Sequence, residues 1–164
     1  MEWADAEIWR AVSAHAPATQ DVRTKALLTH LHLVQRMFLM LWTKQPFDPA
    51  GRPPEFATLG DLRSWVQRYY SEVHRFLDGL PASRLTEVVD MPWVRALETQ
   101  LGRPLSMPAL VDTIQQVASH STYHRGQINV RLRELGGHPP LVDYVAWVWF
   151  GRPAPDWRPT AGAS

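Results

Sequence analysis

The sequence predicts an all-α protein built as an antiparallel four-helix bundle. Apolar residues recur at spacings of three and four in three long stretches and one shorter stretch, which is the period of amphipathic helices. Prolines cluster between these stretches, where they end helices. Helices of this length bury their apolar faces by packing side by side, so a bundle is the fold that the pattern favours.

The length of 164 residues suits one domain, which we place at residues 1–150 with a tail at residues 151–164. The net charge is +1 and no basic run stands out, so we expect no nucleic-acid partner. No apolar run reaches the roughly 20 residues that cross a bilayer, and the first residues lack the features of a secretory signal. We therefore expect a cytoplasmic protein that makes no membrane contact.

The first two predicted helices span about residues 3–15 and residues 21–44. The second contains neither proline nor glycine, and Asp21 or Thr24 is suited to cap its N-terminus. Prolines within residues 45–57 then end it. Its apolar stripe consists of Leu27, Leu31, Val34, Phe38 and Leu41.

The third predicted helix covers residues 59–80. It follows Thr58, and Asp61 stands three positions later, which is the spacing of a capping box. Gly79 and Pro81 mark its end. The next segment, residues 82–105, predicts a short hairpin with "RLTEVVDM" as one strand and "ALETQLGRPLS" as the other.

The fourth predicted helix starts at Ser106 or Met107, with Pro108 in its first turn, where proline costs little. Gly136 or Gly137 is suited to end it as a C-cap. After it, "HPPLVDYVAWVWFGRP" predicts a short helix or an extended segment, and the last residues, "APDWRPTAGAS", are expected to be frayed.

A histidine pair on the fourth helix predicts a metal site. His120 and His124 stand four apart, which places both rings on one face of a helix, one turn apart. They continue an apolar stripe that contains Val117 and Ile128, so each imidazole needs a partner, and a shared divalent cation supplies one. The alternative is that carboxylates or backbone carbonyls satisfy both rings.

The second helix offers two candidates for a third ligand. His30 and His32 point about 160° apart on a helix. His30 follows the apolar stripe of its helix, so we expect it to face the bundle interior and to be the third ligand. His32 falls on the side of Leu28, Gln35 and Leu39, which we expect to be nearer an edge, and we assign it to the surface or an interface.

Three neutral imidazoles leave a divalent cation with open positions, which is the pattern of catalytic sites. A water or thiol bound there loses its proton more easily. Three neighbours of the pair are candidates for contacting the substrate or supporting the ligands. Arg125 is suited to bind an anionic group, although pairing with a surface acid is the favoured role; Gln127 is suited to bond to a neighbouring element, and Tyr123 lies beside His124.

The segment "HSTYHRGQINVRLRELGGHPPLVDYVAW" closely resembles the C-terminal signature of the DinB-like (DinB/YfiT) family, in which a histidine pair followed by Arg-Gly-Gln lies on the last long helix. "KALLTHLHLVQRMFLMLW" is similar to the second-helix motif of that family and places His30 in the ligand position. The resemblance covers about residues 3–150. The chain departs from many relatives at Gln35 and Arg36, where an acidic residue is common.

The resemblance implies an up-down-down-up four-helix bundle with a histidine triad that holds a divalent metal, zinc or nickel first, with iron or manganese as alternatives. It also implies a homodimer. Eight tryptophans in a chain of this length favour an aromatic contact, with Trp42, Trp147 and Trp149 as candidates. Some relatives are thiol transferases or isomerases that use a low-molecular-weight thiol such as bacillithiol or mycothiol.

Three functions are therefore compatible with the sequence. The first is a metal-dependent transferase that joins a thiol to a small electrophile; because the chain has no cysteine, a cosubstrate must provide the nucleophile. The second is a metal-dependent hydrolase. The third is a metal-stabilised bundle that binds a ligand or partner without catalysis. The transferase is the preferred interpretation.

Overall fold

The computed structural model describes residues 1–46 and 54–158, and in these ranges it contains helices and no strand. The all-α, helical-bundle prediction is confirmed. The described helices include none that is both long and apolar enough to cross a membrane. The helices are α1 (Glu2–Ser13), α2 (Ala16–Gln20), α3 (Val22–Trp42), α4 (Leu59–Asp78), α5 (Val94–Leu101), α6 (Leu110–Glu134) and α7 (Tyr144–Trp149), with a 3-10 helix at Ala82–Thr86.

The core lies between α1, α3, α4 and α6, and the most extensive helix contact is that between α3 and α6. Burial of large apolar side chains in this layer supplies most of the driving force for folding. The largest fully buried apolar side chains are Ile8, Val12, Leu28, Leu31, Leu39, Leu62, Tyr69, Leu110, Ile128 and Leu132.

The buried face of α3 is not the predicted one. Leu31 and Phe38 are buried as expected, but Leu27, Val34 and Leu41 are only partly buried. The face that packs against the bundle is centred one position further along the helix. It consists of Thr24, Leu28, Leu31, His32, Gln35, Phe38, Leu39 and Trp42. Three of its positions, Thr24, His32 and Gln35, carry polar side chains, so a pattern of apolar residues does not reveal this face.

The predicted helix ends are largely confirmed. The backbone N–H of Thr24 donates to Oδ2 of Asp21 at 2.7 Å, so Asp21 caps α3. Thr58 and Asp61 form the reciprocal capping box at the start of α4. After α6, Gly136 has φ +82°, and the N–H groups of Gly136 and Gly137 bond back into the last turn, which is a Schellman-type end.

The hairpin predicted for residues 82–105 is wrong, because the 3-10 helix and α5 occupy most of it. What remains is one antiparallel bridge between Val88 and Ala109. Beside this bridge the carbonyl of Pro108 accepts a bond from the N–H of Val89 at 2.9 Å, and the next residue, Ala109, has extended backbone. The helix α6 therefore starts at Leu110, and the predicted start at Ser106 or Met107 with Pro108 in the first turn is wrong.

The segment after α7 is docked on the bundle, although the sequence predicts fraying from residue 154. Trp157 donates its indole N–H to Glu2 Oε1 at 2.9 Å, and its ring lies 5.6 Å from that of Tyr70. The predicted fraying is therefore wrong up to residue 158. Residues 159–164 of the predicted tail and residues 47–53 of the predicted helix-ending segment lie outside the described ranges.

Candidate metal centre

Three histidines from two helices come together at one side of the contact between α3 and α6. His30 belongs to α3, and His120 and His124 belong to α6. Each offers a ring nitrogen, and the three nitrogens lie within 4.8 Å of one another. The ring of His30 is centred 4.5 Å from that of His124 and 6.0 Å from that of His120. The structure thus brings together the three residues that the sequence analysis selected as ligands.

The cluster opens to solvent on the His30 side. His124 is 6% exposed and His120 is half-buried, whereas His30 is exposed. The expectation that His30 faces the bundle interior is therefore wrong: it stands at the rim of the helix contact and still reaches the pair on α6. This position leaves one side of the cluster accessible to a small molecule.

A hydrogen bond fixes the ring of His124. Its Nδ1 lies 2.7 Å from Oε1 of Gln127, one turn further along α6. Because an amide oxygen can only accept, Nδ1 carries the proton and Nε2 carries the lone pair of the ring. That Nε2 accepts a hydrogen bond from Nε2 of His120 at 2.9 Å. Gln127 therefore orients His124 toward the centre of the cluster.

His30 and His120 favour the neutral form that binds metals. Burial, together with the nearby His124, lowers the pKa of His30. Burial also lowers the pKa of His120, with smaller contributions from His124 and His30. Imidazoles this close repel one another once charged, which adds to the effect of burial on His30 and His120. At neutral pH these two rings consequently offer a lone pair to a cation.

This donor set fits a divalent transition metal. Zinc binds imidazole nitrogen at about 2.0–2.1 Å, and nitrogens of one site are then separated by no more than about twice that length. The separation of 2.9 Å between His120 and His124 satisfies this limit. Imidazole suits zinc, nickel, iron and copper, while magnesium and calcium prefer oxygen. The cluster consists of histidines, which favours these transition metals over magnesium and calcium.

His32 is a structural residue and not the edge residue that the sequence predicts. It is fully buried. The indole N–H of Trp9 donates to its Nε2 at 2.9 Å, and its Nδ1 donates to Oε1 of Gln35 at 2.8 Å. Burial lowers the pKa of His32 despite the opposing effects of Asp5 and Gln35, so the ring is neutral. Because both nitrogens are engaged, His32 has no lone pair for a cation.

Arg125 forms a buried ion pair, so the expected surface pairing is wrong. Its side chain donates to Oδ1 of Asp5 at 2.7 Å and to Oγ1 of Thr122 at 2.8 Å, and the residue is 5% exposed. Burial by itself would raise the pKa of Asp5, but Arg125 and the other polar neighbours hold it below the ordinary value. A charge already paired in the core is not available to an anionic substrate.

Tyr123 lies at the accessible side of α6. Its side chain is 64% exposed, and its ring centre is 5.2 Å from that of His124 in an edge-on arrangement. Its hydroxyl is therefore accessible to a molecule that approaches the cluster.

Sequence reasoning missed the residues that surround His32 and Arg125. Asp5 stands in the first turn of a short helix, where an acidic residue is ordinarily exposed and interacts with the helix dipole. A signal did exist in α3: His32 and Gln35 share the spacing of Leu28, Leu31 and Leu39. That pattern describes a buried helix face that contains two polar positions.

A profile of the DinB family matches residues 26–155, which is most of the chain and includes all three histidines of the cluster. No curated protein matches the chain. The matched span begins after α1 and α2, so Asp5 and Trp9 lie outside it. Together with the helical bundle, this match shows that the chain belongs to the DinB family.

Proposed function

We propose that His30, His120 and His124 bind one divalent cation, zinc or nickel, and that the protein is a metal-dependent enzyme of the thiol-transferase type acting on a small molecule. The observation that carries the proposal is the convergence of three imidazoles with His30 at the solvent-exposed rim. Three protein ligands leave positions for a substrate, which distinguishes catalytic from structural sites.

A divalent cation held there would supply positive charge that makes a thiol or a water easier to deprotonate. The chain's own residues have three tasks. His30 lies on the exposed side, from which a small molecule can reach the cluster. Gln127 holds the ring of His124 so that Nε2 points toward the centre of the cluster. Tyr123 offers a phenol beside the cluster that can donate a hydrogen bond to a bound substrate. The chain contains no cysteine, so the nucleophile of a transfer must be a low-molecular-weight thiol.

The metal proposal is tested by elemental analysis of tag-free protein and by calorimetric titration of metal-free protein with zinc and with nickel. We expect one equivalent of cation per chain in the wild type and none in His30→Ala. His74→Ala is the matched control, because His74 is also an exposed histidine but pairs with Glu2 on another side of the bundle. A wild-type protein that binds neither cation stoichiometrically would contradict the proposal.

The reaction class is tested on metal-loaded protein with an electrophilic aryl halide and, in separate assays, glutathione, bacillithiol and mycothiol. Turnover that requires one of the thiols and is lost in His30→Ala supports the transferase. Turnover of activated esters or amides without any thiol favours a hydrolase instead. Metal binding without either activity favours a non-enzymatic, metal-stabilised binding protein.

We also propose that the chain forms a homodimer through aromatic residues of α7. Tyr144 is 75% exposed and Trp149 is 73% exposed, which is unusual for such large side chains. Trp147 is half-buried and bonds to the carbonyl of Pro153. Trp42 is not available for such a contact, because it is 4% exposed and bonds to Thr113 in the core.

A further inference from the structure

A buried polar network links four helices next to the histidine cluster. Asp5 of α1 is fully buried, and its carboxylate accepts bonds from three side chains on three other helices. Arg125 of α6 donates to it at 2.7 Å, Gln35 of α3 at 2.8 Å, and the hydroxyl of Tyr70 on α4 also donates to it. A single carboxylate thus connects α1, α3, α4 and α6.

Gln35 extends the network between the two helices that carry the histidines. Its amide nitrogen donates to Oγ of Ser121 on α6 at 3.0 Å, and its amide oxygen accepts from His32 at 2.8 Å. Every hydrogen-bonding partner in the chain Trp9–His32–Gln35–Asp5 is therefore matched with a group of the opposite kind. Directional bonds of this kind favour one relative arrangement of the helices that they join.

Each of the three histidines has a residue of the network next to it, or two positions away, in the sequence. Arg125 directly follows His124, Ser121 directly follows His120, and His32 stands two residues after His30. Metal–ligand distances in a well-formed site lie within about 0.2 Å of their standard values. Because His30 lies on a different helix from the other two, the site geometry depends on how α3 sits against α6.

We infer that Asp5 and Gln35 are positioning residues, which set the placement of α3 against α6 and thereby the cation affinity of the histidine cluster. The inference rests on the proposed metal-binding function. Apolar contacts between the same helices are non-directional and tolerate small shifts, whereas the bonds from Gln35 to Ser121 and Asp5 are lost when the helices slide. Asp5 lies outside the part of the chain that the family profile matches.

The test compares cation affinity in three variants by competition with a chromophoric chelator, using zinc or nickel, whichever the wild type binds more tightly. Asp5→Asn keeps the shape of the side chain and removes its charge. Ser121→Ala removes only the contact between Gln35 and the residue after His120. Asp21→Asn is the matched control, because it breaks the ion pair of Asp21 with Arg131, which also joins α3 to α6 but lies away from the histidines. Circular dichroism and thermal melts establish that each variant is folded.

We expect Asp5→Asn to weaken cation binding on the order of tenfold, the usual effect of disturbing the groups that orient metal ligands. Ser121→Ala should weaken it about threefold, since one neutral hydrogen bond is lost. Asp21→Asn should lower the melting temperature and leave the affinity unchanged. A purely structural role would move the melting temperature in all three variants and the affinity in none.

The inference is overturned if folded Asp5→Asn binds the cation as tightly as the wild type. If Asp5→Asn does not fold, Ser121→Ala decides, and wild-type affinity in that variant overturns the inference. An equal loss of affinity in Asp21→Asn would also overturn it, because the effect would then follow general stability. A wild-type protein that binds no cation refutes the proposed function itself, which is a separate outcome.

Discussion

Trp9 donates its indole N–H to Nε2 of His32 across 2.9 Å in the core of the bundle. This bond occupies the only unprotonated nitrogen of His32, because Nδ1 donates to Gln35. Two histidines that stand two residues apart on α3 therefore have opposite roles. His32 joins α1 to α3, and His30 is left to meet the histidine pair of α6.

The two histidines of α3 give the first prediction. His30→Ala should abolish stoichiometric cation binding and the rise in melting temperature that zinc or nickel produces, since a ligand bound only by the native state stabilises it. His30 is exposed, so the metal-free variant should melt close to the wild type. The measurement is a thermal melt of each protein with and without the cation.

His32→Ala provides the contrast. If His32 stood at an edge, as the sequence predicts, this substitution would have little effect on stability. In the structure His32 is buried, so we expect a large effect. The variant loses a buried ring and leaves Trp9 and Gln35 without partners, so the free energy of unfolding should fall by about 2–4 kcal/mol. A His32→Ala protein that is as stable as the wild type and loses its cation-dependent shift, while His30→Ala keeps that shift, would show that the ligands are assigned wrongly.

Gln127 gives the second prediction. Gln127→Leu removes the acceptor for Nδ1–H of His124 and frees the ring to rotate, so cation affinity should fall by about 10–100-fold. Gln127→Glu keeps an acceptor at the same place and should retain wild-type affinity or exceed it, because a carboxylate makes the imidazole more basic. Calorimetric titration measures both. Equal losses in the two variants would mean that Gln127 acts through packing and not through this bond.

The histidine pair was predictable because its geometry is contained within one helix. His120 and His124 share a face whatever the rest of the chain does. Predicting how the third ligand is placed requires knowing which face of α3 is buried. The apolar stripe put that face about one residue away from its position in the structure. The error arose at His32 and Gln35, two polar side chains on the buried face.

The polar network and the conformation of residues 82–109 could not be predicted from the sequence for a different reason. The partners Asp5 and Arg125 are separated by 120 positions. No local sequence pattern around either residue indicates that it is buried. Local signals succeeded where the interaction is local, as with the capping box at Thr58 and the glycine at position 136. They failed at residues 82–109, where the bridge between Val88 and Ala109 joins positions 21 residues apart.

The proposed homodimer gives the third prediction. Light scattering should return twice the chain mass at high protein concentration, and Trp149→Ser should return the monomer mass without changing the melt of the monomer. The variant removes a large exposed apolar surface, which contributes to association through burial. Trp42→Phe should leave the dimer intact by comparison, since the ring of Trp42 is in the core. A monomer mass for the wild type would refute the proposal.

The ion pair between Asp21 and Arg131 gives a prediction about acid. Hydrogen bonding to Arg131, with further bonds from Thr24, outweighs burial and holds the pKa of Asp21 well below its usual range. The unfolded chain therefore binds a proton at Asp21 before the native state does, so the stability that this carboxylate provides is complete above about pH 4, the ordinary pKa of aspartate. It is lost as the pH falls further toward the lowered pKa of the native state.

Asp21→Asn isolates this contribution, because asparagine caps a helix about as well as aspartate but cannot pair with a charge. The variant should unfold at a lower denaturant concentration than the wild type at pH 7, and the difference should shrink as the pH drops below about 4. It should also shrink with added salt, which screens a partly exposed pair. Asp90→Asn, at an exposed position, controls for the general loss of a carboxylate. A gap between wild type and Asp21→Asn that stays constant down to about pH 2, below the ordinary range for aspartate, would show that the charge of Asp21 does not stabilise the fold.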